Sequence, residues 1–360
     1  MVQFKILAGG YSAPGFVAFY LFDSIASTLN LVAAYFSERP SAVFGNAAYS
    51  LIFSAVNENE RGALQSFTVS GQALSAPIST TASEGNGPPF TLGLSTGEVA
   101  VVNPLRQFGS GTGAFLPSDD GQNFGSAQAI TFPVQPGTVD NVSHPHMVLE
   151  NNGEVLIPDL GADMIWRLAS NGSAGSWQIA GQLPQPQGSG PRHIAILDGY
   201  LYTVHETAST VTSQPLPDAI NGTSNIITTI DIRPQDAPAD AHFGAGELVL
   251  CPPNQLFPKP YLYASNRNVG PTQDPAGDTI AIIEIGANGT MTLVSQVKTG
   301  INQPRGVEKG GDDDEFLAVG GVVGTGGVAI FNRTEGGANL AEVARNTQVP
   351  TRTSFVWLEV

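Results

Sequence analysis

Seven times along the chain a short apolar or aromatic run is followed by a polar gap, a second run and a glycine-containing turn. The clearest cases open at Leu51, Val155, Tyr200, Tyr261 and Phe316, with weaker ones near Phe4 and Phe90. Starts about 40 to 65 residues apart match the period of four-stranded blades repeated around an axis. Seven starts imply seven blades. The alternation in Thr279–Ile285 and Gly327–Phe331 marks strands rather than helices. Asn152-Gly153, Asn171-Gly172, Asp198-Gly199 and Asn288-Gly289 mark turns, because these residues tolerate the left-handed backbone that tight hairpins need. The expected fold is all-β: a seven-bladed β-propeller of four-stranded antiparallel blades around a central channel, in one domain over residues 1–360. Thr207 to Ala245, rich in Pro, Ser, Thr and Asp, reads as an insertion projecting from one face.

Composition agrees with many short strands joined by turns: 42 Gly and 26 Pro stand against only 13% charged residues. A formal charge of −16 disfavours nucleic acid and anionic membranes as partners, and it requires any anion site to be built from local arginines. No apolar run reaches the ~20 residues of a membrane-spanning helix. The single cysteine, Cys251, has no partner for an internal disulfide. Sequons at Asn141, Asn171, Asn221, Asn288 and Asn332 are glycosylation candidates and point to a secreted protein whose signal peptide has been removed. Cytoplasmic residence is the alternative.

The inner strands of a propeller line its channel, so polar residues flanking them form the mouth. Three places stand out: Ser143-His144-Pro145-His146, Gly190-Pro191-Arg192-His193 with His205-Glu206, and Ser265-Asn266-Arg267. With Gln303-Pro304-Arg305-Gly306 and Tyr263-Ala264 they carry, in order and spacing, a resemblance to the β-propeller lactonases that covers most of the chain. That family includes bacterial-type 6-phosphogluconolactonase and the fungal 3-carboxy-cis,cis-muconate cyclase. The resemblance implies an active site of His146, Arg192, Glu206 and Arg267; His144, His193, Asn266 and Arg305 close to them are expected as substrate contacts, and no cofactor is expected. It also implies a small anionic carboxylic acid or lactone as substrate.

The chemistry of the set agrees. Two guanidiniums hold carboxylates by paired hydrogen bonds and stabilise charge on a lactone oxygen or enolate, while His146 and Glu206 are expected to move protons. Cyclisation of an unsaturated acid to its lactone is the leading expectation, as an isomerase. The alternatives are a lactone hydrolase, a cyclase of another polyunsaturated or polyketide-derived acid, and a non-catalytic secreted propeller.

Blander readings stand beside these: a histidine next to proline is often structural, and Glu206 can serve merely as a partner for an arginine. Other motifs carry less. His144-x-His146 has the look of a metal pair but lacks a third ligand, so no metal is expected. Asp312-Asp313-Asp314-Glu315 reads as a turn, and Gly320 to Gly327 lacks the Lys-Ser/Thr of a phosphate loop. No Gly-x-Ser-x-Gly nucleophile elbow occurs around Ser110.

Overall fold

The computed structural model describes residues 3–10, 17–35, 40–46, 51–57, 62–104, 110–118, 120–134 and 142–358. Its strands form seven antiparallel sheets, each a four-stranded blade; six follow the order of the chain, and the second blade carries one additional strand. Blades 2 to 7 begin with inner strands Pro40–Asn46, Phe90–Gly93, Leu149–Asn151, Pro191–Leu197, Phe243–Cys251 and Pro304–Gly310. Blade 1 is different. Its inner strand, Ser354–Leu358, comes from the far end of the chain and pairs with Gln3–Gly9, closing the ring.

Seven apolar clusters hold the described residues together, and each bridges two adjacent blades. Blade 6 shows why the strands alternate as they do. Along its second strand, Tyr261–Asn268, Leu262 and Ala264 pack toward blade 5, whereas Tyr261 and Tyr263 pack toward blade 7. A second strand thus feeds two interfaces, and every residue of this one is buried. Six of the seven sequence-marked starts fall on second strands for this reason. The start at Phe90 instead marks the short inner strand of blade 3, whose buried second strand is Glu98–Asn103.

The turns behave as their sequences require. Asn152-Gly153, Asp198-Gly199 and Asn288-Gly289 place both residues at positive φ, and the first two join inner to second strands. Asp312 to Glu315 is the corresponding turn of blade 7, with Asp314 paired to Lys309. The stretch from Thr207 to Ala245 is not a separate projection. It contains strands Thr210–Pro215 and Thr228–Asp231, the outer half of blade 5, with the crossing into blade 6. Its Pro and Asp residues lie mostly in the connecting segments 216–227 and 232–242, and Thr228–Asp231 alternates between half-buried and exposed positions.

Among the glycosylation candidates, Asn171, Asn221 and Asn288 are exposed, and Asn332 is half-buried within the third strand of blade 7. Asn141 lies outside the described residues. No helix among the described residues is long and apolar enough to cross a membrane. Cys251 is buried between blades 6 and 7, and burial pushes its thiol up to about 12, which makes it inert.

Candidate active site at the channel mouth

An inner strand begins on the face where its neighbouring second strand ends, so residues at those two places meet. Arg192 sits at the start of the blade 5 inner strand, and Glu206 directly follows the second strand, Tyr200–His205. The pairing register skips from Pro191 to His193, leaving Arg192 as a bulged residue. The same irregularity recurs at Arg305 in blade 7, and at Gly246 and Glu247 in blade 6. Bulges re-aim side chains that a regular ladder would send into a blade interface. Three inner strands therefore deliver charged groups toward the mouth.

The centre is a carboxylate shared by two arginines. Arg192 Nε donates to Glu206 Oε2 at 2.6 Å, and Arg267 Nη2 lies 2.7 Å from Oε1. Backbone carbonyls take further protons: Arg192 Nη1 donates to Gly246 O at 2.8 Å and Arg267 Nη2 to Ala245 O at 3.0 Å. Gly246 is required here, since a Cβ would stand 2.5 Å from Ser265 Oγ and 2.8 Å from Pro304 O. Burial raises the pKa of Glu206, but Arg192 and Arg267 more than reverse this and hold it down to about 2. Glu206 is thus an ionised bridge at neutral pH and a weak base. Burial lowers Arg192 to about 10, still protonated.

Beside this bridge stand three histidines. His146 Nδ1 is 3.2 Å from His193 Nε2, the two rings having centroids 5.1 Å apart, and His144 stacks on His146 at 6.2 Å. Burial, followed by the charge of Arg192, holds His146 well below the usual imidazole range, so it is neutral. His144 is lowered mainly by burial as well. The His-Pro-His segment is fixed by the buried carboxylate of Asp159, which accepts from Ser143 Oγ at 2.5 Å, His144 N at 2.6 Å, Ala162 N at 3.0 Å and Trp166 Nε1 at 3.0 Å. Asp159 is a supporting residue that the sequence displayed only as part of a Pro-Asp run.

Arg305 is half-buried and acts electrostatically on His144, His146, Arg192, His193 and Glu206, which places it in the same cluster. Asn266 does not join them. Neighbours along a strand face opposite ways, and its amide donates to Ile232 O at 2.6 Å and Thr279 Oγ1 at 3.1 Å in the interior of blade 6. Glu247, which sequence reasoning missed, touches His193 Nδ1. With the histidines neutral, guanidiniums Arg192, Arg267 and Arg305 against carboxylates Glu206 and Glu247 leave three minus two, one net positive charge, in a chain of charge −16. No group of three or more His, Cys, Asp or Glu suited to a metal ion occurs among the described residues.

Residues 5–357 match the family described as lactonase, seven-bladed β-propeller. The chain belongs to this family. It is accordingly an enzyme that acts on small lactones. No curated protein matches the lactonase chain. Among solved structures it is similar to a protein from Lactobacillus plantarum, with 20% identity, TM-score 0.85 and 99% of this chain and 100% of that one covered. It is also similar to the periplasmic gluconolactonase of Pseudomonas aeruginosa, at 19% identity and TM-score 0.84, with both chains fully covered. A third is a Bacteroides fragilis protein named for 6-phosphogluconolactonase activity, with 20% identity, TM-score 0.82 and coverage of 99% and 98%. At such identities the likeness speaks to the fold.

Proposed function

We propose that this lactonase hydrolyses a small lactone carrying at most one negative charge, with His146 as general base. The observation that supports it is a neutral imidazole held beside the Arg192–Glu206–Arg267 bridge at the mouth. His146 takes a proton from water, the hydroxide oxygen bonds to the lactone carbonyl carbon, and the oxyanion is stabilised by the guanidiniums. The ring C–O bond then breaks and the proton passes to the leaving alkoxide. Glu206 orients both arginines rather than titrating. A single net positive charge suits a neutral or singly charged lactone better than a phosphate dianion or a tricarboxylate, which would leave the site negative. This ranks hydrolysis above cyclisation of 3-carboxy-cis,cis-muconate.

The test is a side-by-side assay of glucono-1,5-lactone, 6-phosphogluconolactone and 3-carboxy-cis,cis-muconate. Hydrolysis of the uncharged lactone at the highest kcat/KM, abolished by His146→Ala, is the expected result. Loss of the muconate diene absorbance without any hydrolysis would replace it by the cyclase reading. Residence outside the cytoplasm is part of the proposal, supported by exposed sequons at Asn171, Asn221 and Asn288. Expression in a glycosylating host, with a mass shift lost on replacing these three by Gln, tests it.

A further inference from the structure

The hydrogen bonds around His193 assign protons that imidazoles ordinarily leave ambiguous. Arg192 Nη1 lies 3.3 Å from His193 Nε2, and a guanidinium can only donate. His193 Nε2 therefore carries a lone pair, which puts the ring proton on Nδ1, where the carboxylate of Glu247 meets it. The same Nε2 is 3.2 Å from His146 Nδ1. An acceptor there requires His146 to carry its own proton on Nδ1. The remaining nitrogen of His146, Nε2, is then the basic one.

We propose that Glu247 and His193 are positioning residues that lock His146 in its Nδ1–H tautomer and leave Nε2 as the base. This rests on the reading of His146 as the proton-transfer group. The line runs from the Glu247 carboxylate through His193 to His146, each step set by donor and acceptor chemistry rather than by proximity alone. Three features of the structure make it rigid. Glu247 N donates to Ser265 Oγ at 2.8 Å, Phe90 meets the His193 ring edge-on at 5.8 Å, and His146 N donates to Pro158 O at 2.9 Å. His193 is buried, and burial, ahead of the opposing charge of Glu247, lowers its proton affinity, in keeping with a neutral ring. Glu247 also strengthens the acceptor that His193 offers to His146, so the carboxylate acts on the base without touching substrate.

Tautomers can be read without any substrate. Long-range proton–nitrogen correlation spectra of the full chain, labelled with 15N-histidine, resolve five imidazoles, assigned by replacing each histidine in turn. At pH 7.5 both His146 and His193 are expected to show Nδ1 as the protonated nitrogen. Glu247→Gln keeps both tautomers, because its amide oxygen still accepts, and lowers kcat with KM unchanged. His193→Phe removes the acceptor, so the two His146 nitrogens average, and kcat falls about 10- to 100-fold, short of the ~10²–10⁴ the base itself supplies. A His146 protonated at Nε2 in the unmodified protein, or one indifferent to His193→Phe, would overturn the proposal. The expected spectra with no lactone turned over would sustain the tautomer lock and remove the hydrolase reading instead.

Discussion

Two buried arginine–carboxylate clusters occupy opposite faces of the propeller. Glu154 opens the second strand of blade 4, just after a hairpin turn, whereas Glu206 follows the end of the second strand of blade 5. At the first, Arg167 forms two bonds of 2.7 and 2.6 Å to Glu154, and Nη1 donates to Pro217 O and Ala219 O, both at 2.9 Å. One guanidinium meets one carboxylate, and all three of its nitrogens are engaged. At the mouth, two guanidiniums share one carboxylate that is 29% exposed, and the buried Nε of Arg267 meets no acceptor. Saturation marks a strut, and a surplus of donors marks a place where an anion can enter.

The contrast breaks if stability and activity fail to separate. Arg167→Ala strands the Glu154 carboxylate, whose exposure is 11%, and is expected to cost about 3–5 kcal/mol in denaturant unfolding while kcat per folded molecule is kept. Arg192→Ala should do the reverse, lowering kcat/KM about 10²–10³-fold with little change in the unfolding midpoint. Equal losses of stability in the two variants would make the mouth bridge a second strut.

Acid sharpens the comparison, because His146, His193 and His205 cluster near the mouth and none stands by Arg167. Burial lowers His205 to about 4, and a histidine with a depressed folded value is protonated first in the unfolded chain. Its stabilising contribution is complete above about pH 6.5 and is lost as pH falls toward 4, by roughly 3 kcal/mol for this residue. Hydrogen exchange at pH 5 should therefore open Pro191–Leu197 and Tyr200–His205 before Glu154–Asp159. The opposite sign holds for Glu308, on the inner strand of blade 7. Burial, then the nearby Glu247, pushes it up to about 8, so its contribution is complete below about pH 4.3 and fades as pH rises through 8. Glu308→Gln is expected to flatten the alkaline fall in melting temperature, a smaller effect than the others.

What the sequence displayed follows from burial. Second strands such as Tyr261–Asn268 and Phe316–Gly321 are apolar on both faces and stand out as runs. The inner strands Pro191–Leu197, Phe243–Cys251 and Pro304–Gly310 carry Gly or Pro and are bulged at Arg192, Glu247 and Arg305, so their register was hidden. The segments holding His146, Arg192, Glu206 and Arg267 stood out by their place beside inner strands, and the resemblance picked these four from them, whereas their mutual geometry was not legible. The alternation of strands held one unused signal: with Arg267 facing the mouth, adjacent Asn266 had to face away. Glu247 offered none, since an acidic residue after Gly246 gains its meaning only from the histidine it meets across the blade boundary.

The strand Ser354–Leu358 that completes blade 1 also sets the order of events in biosynthesis. Residues Lys5 to Gly9 wait for partners about 350 positions later, so the nascent chain remains an open arc until Ser354–Leu358 has left the ribosome. During that interval the Gln3–Gly9 edge is an exposed template for pairing with other chains. A circular permutant opened at the Asp198-Gly199 turn would make blade 1 locally and early, leaving blade 5 to close last, and the yield of soluble protein would reveal how much of the aggregation hazard resides in that single latch.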